Sequence, residues 1–145
     1  MKRMSAGGMV FDPEGRILLI KSRLRGTWEW PGGRSEGNES PLQTCRREVR
    51  EETGLDLYSY RFVGVNFQDG GGTKNGRLNF TFVAEVDLAK AGMVTPQAIE
   101  ISDFRWVDIA EARSIIAPRL KSRFANFLKA YQDQTSIYLE SGETI

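Results

Sequence analysis

The sequence predicts an α/β protein with a mixed β-sheet and helices on its faces. Three observations carry this. Strand-like and helix-like stretches follow in the order strand, strand, helix, strands, strand, helix, unlike the regular alternation of a parallel βαβ repeat. Residues 40–54 hold both a start and a stop signal for a helix. The run Ile17-Leu18-Leu19-Ile20 is continuously apolar, as in a strand covered on both faces.

Met4 to Phe11 reads as the first strand, closed by the turn Asp12-Pro13-Glu14-Gly15. Arg16 to Ser22 is the second strand. Arg23 to Gly33 is a loop with short extended pieces, ending Trp30-Pro31-Gly32-Gly33. Ser40 then caps a helix, with Pro41 at its first position and Gln43 completing a capping box. Gly54 stops it. Leu42, Cys45 and Val49 form its apolar stripe. Tyr60 to Phe67 and Arg77 to Val86 read as strands. The loop between them, residues 68–76, is too glycine-rich to be rigid. Ile101 to Val107 is a further strand. Asp108 and Glu111 make a second capping box, opening a helix broken at Pro118. Leu120, Phe124, Phe127, Leu128 and Tyr131 then repeat at helical spacing. Ser136 to Glu140 adds a short terminal strand. No internal repeat, linker or second domain is visible, so one domain covers residues 1–145.

Composition is that of a soluble globular protein, 40% apolar and 27% charged. A net charge of +1 gives no general electrostatic case for nucleic acid, and no DNA binding is expected. The single cysteine, Cys45, has no internal disulfide partner and falls on the apolar stripe as a buried thiol. There is no histidine, so acid–base work falls to carboxylates, lysine, tyrosine or water. No apolar stretch reaches 18 residues, and the start is too short in apolar residues for a signal peptide. A cytoplasmic protein, monomer or homodimer, is expected, with no membrane partner.

Chemistry concentrates on the first helix. Glu48, Glu51 and Glu52 lie at i, i+3 and i+4, within an arc of roughly 100° beside the apolar stripe. Three carboxylates on one face repel each other. A hard divalent cation such as Mg²⁺ resolves the conflict, since it takes oxygen ligands from a few carboxylates and substrate phosphates.

The surrounding segment, Gly33 to Leu55, matches a known signature at all nine specified positions: Gly33, Glu39, Arg47, Glu48, Val49, Glu51, Glu52, Gly54 and Leu55. At ordinary composition a chance match has a probability on the order of 10⁻⁸. The segment resembles the Nudix box, and the resemblance implies a Nudix-type α/β/α sandwich with the box helix on one face. It also implies metal-dependent water attack on a nucleotide diphosphate. Glu48, Glu51 and Glu52 become the Mg²⁺ or Mn²⁺ ligands, Glu51 and Glu52 the firmest, with backbone carbonyls of Gly32 and Gly33 completing the shell. Glu48 also orients or deprotonates water. Arg47, projecting away from the metal face, is implied to steady a box glutamate by an ion pair. Glu39 steadies the Gly33 loop. Glu100, just before a strand, is the candidate extra ligand or base, with Asp103 its competitor.

Substrate contacts are less marked. Arg23 and Arg25 offer paired donors to terminal phosphates. Phe67, Phe80, Phe82, Trp28 and Trp30 are candidates for base stacking, and Asn79 for reading a base edge. Arg77 and Lys74 flank the glycine-rich loop and are candidates to touch substrate on closure. The expected substrate is a small nucleotide. A nucleoside triphosphate, including an oxidised dNTP, is favoured because the chain lacks the N-terminal extension and post-box proline signature of ADP-ribose pyrophosphatases. ADP-ribose or another nucleotide sugar or dinucleotide is the alternative, followed by RNA 5′-pyrophosphohydrolysis and a non-catalytic nucleotide sensor.

Overall fold

The computed structural model describes residues 3–72 and 75–145. Its organising strand is β1 (Met4–Phe11), with α1 (Pro41–Thr53) packed across it. Along one edge β1 runs parallel to β6 (Arg77–Glu85), in register from Met4↔Leu78 to Phe11↔Glu85. Its other edge is divided between two partners. Near its end it meets β2 (Ile17–Ser22), antiparallel, at Phe11↔Ile17. Near its start it pairs antiparallel with β4 (Gly32–Arg34), from Ser5↔Arg34 to Gly7↔Gly32.

Close backbone approach makes the second pairing possible. A Cβ at Gly7 would stand 2.7 Å from the Pro31 carbonyl oxygen, and one at Gly32 would stand 2.8 Å from that of Ala6. The Pro31 carbonyl accepts from Gly8 N–H at 2.9 Å. The chain between β2 and β4 must therefore leave the sheet and return, carrying β3 (Trp28–Glu29) back along β2. β2 takes β7 (Ile101–Val107) on its far side, antiparallel. Beyond β6 lie β5 (Arg61–Gln68), β8 (Ile137–Glu140) and β9 (Glu143–Thr144).

Strand alternation sends side chains to two cores. Ala6, Val10, Leu18 and Phe82 face α1, where Cys45, Val49, Leu55 and Leu57 close the layer. Met9, Phe11, Ile17, Leu19 and Val83 face the opposite side, where Leu120, Phe124, Phe127 and Leu128 close it. Those last residues come from a 3₁₀ turn, Pro118–Leu120, and α4 (Lys121–Gln132). Residues 17–20 are all buried, as a strand covered on both faces requires. The result is an α/β/α sandwich.

The capping box of α1 forms as its sequence predicts. Ser40 Oγ accepts from Gln43 N–H at 3.1 Å, the Gln43 side chain accepts from Ser40 N–H at 2.8 Å, and Gly54 ends the helix at φ 77°. The apolar stripe needs a correction. Leu42 is exposed, and the buried face is Thr44, Cys45, Val49, Glu52 and Thr53. Threonines extend that face because their hydroxyls have local acceptors. Thr53 Oγ1 donates to the Val49 carbonyl at 2.6 Å, and Thr44 Oγ1 donates to Glu39 at 3.1 Å. A short helix with no apolar stripe in the sequence, α2 (Leu88–Ala91), is capped by Asp87, which accepts from Lys90 N–H. The helix after Asp108, α3 (Ile109–Ile115), ends before Pro118. Cys45 is fully buried, and burial pushes its thiol up to about 12.

Candidate functional site

The three box acids are graded by depth rather than set side by side in solvent. Glu52 is buried, at 8% exposure. Glu48 is mostly covered, and half of the Glu51 side chain is exposed. Glu52 Oε1 accepts from Gly32 N–H at 2.8 Å, which ties the C-terminal end of α1 to the start of β4. Burial is the main cause that pushes the Glu52 carboxyl up to about 8; neighbouring Glu48, Glu29 and Glu100 add to it, against the Gly32 bond. Glu48 is raised by the same burial, offset in part by Arg47. A Cβ at Gly33 would sit 2.5 Å from the Glu48 carboxylate, so any larger residue there displaces that side chain.

Arg47 does not project away from the acids. Its guanidinium curls back and spans the site. Nε and Nη2 donate to the two oxygens of Glu39 at 2.6 and 3.1 Å, and Nη2 also donates to the Arg34 carbonyl at 2.9 Å. Nη1 donates to Glu48 at 2.8 Å and to Glu51 at 3.2 Å. A long side chain on a helix reaches across neighbouring residues in this way, which helical phase alone does not show. Glu39, bound to Arg47, Thr44 and Glu36 N–H, is held down to about 2, mainly by the Arg47 hydrogen bonds. Among the described residues no three acids converge at metal-ligand spacing, because Glu48 and Glu51 are turned to Arg47.

Two clefts share Arg25 and Glu29 in their walls. An acidic cleft of about 500 Å³ has Glu52, Glu29 and Glu100 in its wall, with Arg23 and Arg25, and with the exposed Leu24 and Ile99 at its rim. Glu100 is exposed there, while its backbone carbonyl accepts from Arg23 N–H at 2.8 Å. Asp103 lies away from it, on β7, and accepts from Phe104 N–H. The second cleft, about 290 Å³, runs past Gly32 and Gly33 on the α4 side, among Arg34, Arg77, Arg119 and Arg123.

The predicted substrate contacts are only partly brought together. Arg23 reaches the Ala98 carbonyl at 3.2 Å. Arg25 is committed to Glu29 through two bonds of 2.9 and 2.8 Å, and Glu29 also accepts from Arg119 at 2.8 Å. Asn79 lines the second cleft, where its amide accepts from Asn66 at 3.1 Å and donates to Ser5 at 2.6 Å, leaving one donor and one acceptor site. The Phe80 ring packs on the α1 side, 6.4 Å from Phe62, because strand alternation puts it opposite Asn79. Phe67 covers Gly76 closely. Phe82 packs edge-on against Tyr60 and Phe62, and Trp30 packs against Phe124 and Phe127. Trp28 lies under Arg105, 5.0 Å from ring to guanidinium carbon. Lys74 lies outside the described residues. Arg34, Arg119 and Arg123 were not singled out from sequence.

The NUDIX domain profile matches residues 1–131. The chain belongs to the Nudix family. An 8-oxo-dGTP diphosphatase from Proteus vulgaris is 39% identical over 56 residues, 36% of this chain and 50% of that protein. The uncharacterized Nudix hydrolase YvcI of Bacillus subtilis (strain 168) is 35% identical over 109 residues, 73% of this chain and 66% of that protein. The matched segments thus span between half and two thirds of these relatives. The crystal structure of a MutT protein from Methanosarcina mazei Go1 has the same fold, with a TM-score of 0.72, 19% identity and coverage of 92% of this chain and 95% of that one. The Nudix box accounts for Gly33 and Gly54, and the fold places its helix against β1 and β4. Among the described residues no helix is long and apolar enough to cross a membrane.

Proposed function

We propose that this chain is a Mg²⁺- or Mn²⁺-dependent Nudix pyrophosphohydrolase. It acts as a single domain in the cytoplasm on a small nucleotide, converting a nucleoside triphosphate, oxidised dNTPs included, to the monophosphate and pyrophosphate. The observation that carries this reading is the buried Glu52 carboxylate in the wall of the acidic cleft, with Glu48 raised by the same burial one turn earlier on α1. A buried acid raised by neighbouring acids, with one backbone N–H for support, is stabilised in its charged form by a cation. The residues therefore fit a divalent ion. Glu52 and Glu48 would hold it, with carbonyls of Gly32 and Gly33, and Glu51, half exposed and 3.2 Å from Arg47, would complete the set. When bound, the ion supplies charge screening and Lewis-acid activation at the diphosphate.

The chain's own groups do the rest. Arg47 fixes Glu48 and, through Glu39 and the Arg34 carbonyl, locks the Gly32–Arg34 strand to α1. Glu100 stands at the mouth of the acidic cleft as the candidate acceptor of the attacking water's proton, or as a further ligand. The Proteus relative's name supports the triphosphate substrate. Nucleotides joined to a sugar or to a second nucleotide are the second reading, favoured by the arginine-lined cleft, since a triphosphate carries no charged group beyond its own phosphate chain. A panel of normal and oxidised dNTPs, ADP-ribose, nucleotide sugars and dinucleoside polyphosphates, assayed with each metal for pyrophosphate and monoester release, tests it. Turnover of one class with metal supports the reading, and binding without turnover of any compound overturns it in favour of a sensor.

A further inference from the structure

The arginines of the second cleft are more numerous than the site needs for its own structure. Arg34, Arg77 and Arg123 form no ion pair with any carboxylate among the described residues. Arg119 has half a partner, because it shares Glu29 with Arg25. Arg123 Nε is fully buried with no hydrogen-bond partner, and its Nη2 reaches only the neutral Gln68, at 3.4 Å. A buried guanidinium donor left unmatched is costly unless something supplies an acceptor. Burial, with Arg119 beside it, holds Arg123 down to about 10, and burial with Arg34 and Arg3 lowers Arg77. An adjoining cleft shares Arg34, Arg77, Arg119 and Arg123 and adds Arg3. The concentration of positive charge is therefore continuous.

Position matters as much as charge. The cleft is walled by Gly32 and Gly33, whose other contacts are Glu52 and Glu48. An anion held here is one strand's width from the box acids. Trp30 in its wall is packed against Phe124 and Phe127, and the Asn79 amide already bonds Asn66 and Ser5, so guanidiniums dominate its polar lining.

We propose that this cleft binds a second anionic group of the substrate, a phosphate monoester carried on the portion beyond the scissile diphosphate. Arg34, Arg77 and Arg123 are its principal donors. A phosphate monoester brings nearly two negative charges and three acceptor oxygens, which three unpaired guanidiniums can meet. The proposal rests on the pyrophosphohydrolase reading and narrows it to nucleotides bearing an extra phosphate.

The test uses pairs that differ by that phosphate alone: ADP-ribose and its 2′-phosphate, dephospho-coenzyme A and coenzyme A, and a dNTP with and without a 3′-phosphate. Wild-type protein is expected to show kcat/KM about 10- to 100-fold higher for the phosphorylated member of at least one pair. Arg77→Met and Arg123→Met should each collapse that ratio toward unity. Inorganic phosphate and pyrophosphate, without metal, should raise the melting temperature of the wild type and not of the variants. That arm needs no turnover, so it separates failure of the anion site from failure of the hydrolase reading. Ratios near unity in every pair, with no arginine-dependent thermal shift, overturn the proposal while the hydrolase reading stands. Preference for a 5′-triphosphate RNA over every small molecule also overturns it.

Discussion

Replacing Glu52 by glutamine should make the metal-free protein more stable at neutral pH. The Glu52 carboxyl moves from 4.5 to about 8 on folding. The folded state therefore holds its proton more tightly than the unfolded chain. The stability linked to that proton is fully present below pH 4.5 and is lost as pH rises through 8. The loss is about 3 kcal/mol at pH 7 and about 5 kcal/mol above pH 8. Glu48 shifts in the same direction. Glutamine matches glutamate in shape, and its amide oxygen can still accept the 2.8 Å bond from Gly32 N–H. It carries no charge to lose. At pH 7, in EDTA, E52Q should melt roughly 6–12 °C above wild type. The gap should close by about pH 5. Denaturant unfolding at pH 5, 6, 7 and 8 gives the same comparison as free energies. Parallel pH profiles for the two proteins, or a less stable variant at pH 8, would show that Glu52 is not held as a buried, strained carboxylate.

Three further outcomes follow from the same geometry. Arg47→Ala removes five hydrogen bonds and leaves Glu48 and Glu39 without their cation, so a loss of about 2–4 kcal/mol is expected in urea unfolding. Because Glu39 is held near 2, its share of that loss is full above pH 4.5 and fades as pH falls toward 2. Gly33→Ala places a methyl against the Glu48 carboxylate and should cut turnover at least tenfold, with a modest fall in melting temperature; unchanged kinetics would show that Glu48 can move freely. Glu100→Gln should lower kcat at least tenfold and flatten the acid limb of its pH profile, with an unaltered melting curve, since the side chain is exposed. An unchanged profile would make Glu100 a surface acid.

What the sequence disclosed about this molecule follows from how local each signal is. The α1 helix was legible end to end, because Ser40, Pro41, Gln43 and Gly54 act within four residues of their partners. The spacing of Glu48, Glu51 and Glu52 put them on one face for the same reason. Their unequal depth was not legible, since it comes from β4 arriving at Gly32 over Glu52. The division of β1 between β2 and β4 depends on long-range pairing, and Gly7 and Gly32 were its only local trace. The arginine cleft was hidden for a related reason. Arg34, Arg77, Arg119 and Arg123 are far apart in the chain, and the β1 pairings with β4 and β6, together with the start of α4, assemble them. Phe80 and Asn79 are adjacent in sequence and both suit a nucleobase by residue type, yet strand alternation sends their side chains to opposite faces.

The central claim is metal-dependent cleavage of a nucleotide anhydride at the box acids. Its most direct test is turnover of the preferred substrate as Mg²⁺ is titrated from EDTA upward, in wild type and E52Q, with products separated as monophosphate and pyrophosphate. The account predicts saturable activation of the wild type and a loss of about 10²–10⁴-fold in E52Q, in a variant that remains folded. Full turnover in EDTA, or wild-type rates from E52Q, would contradict it.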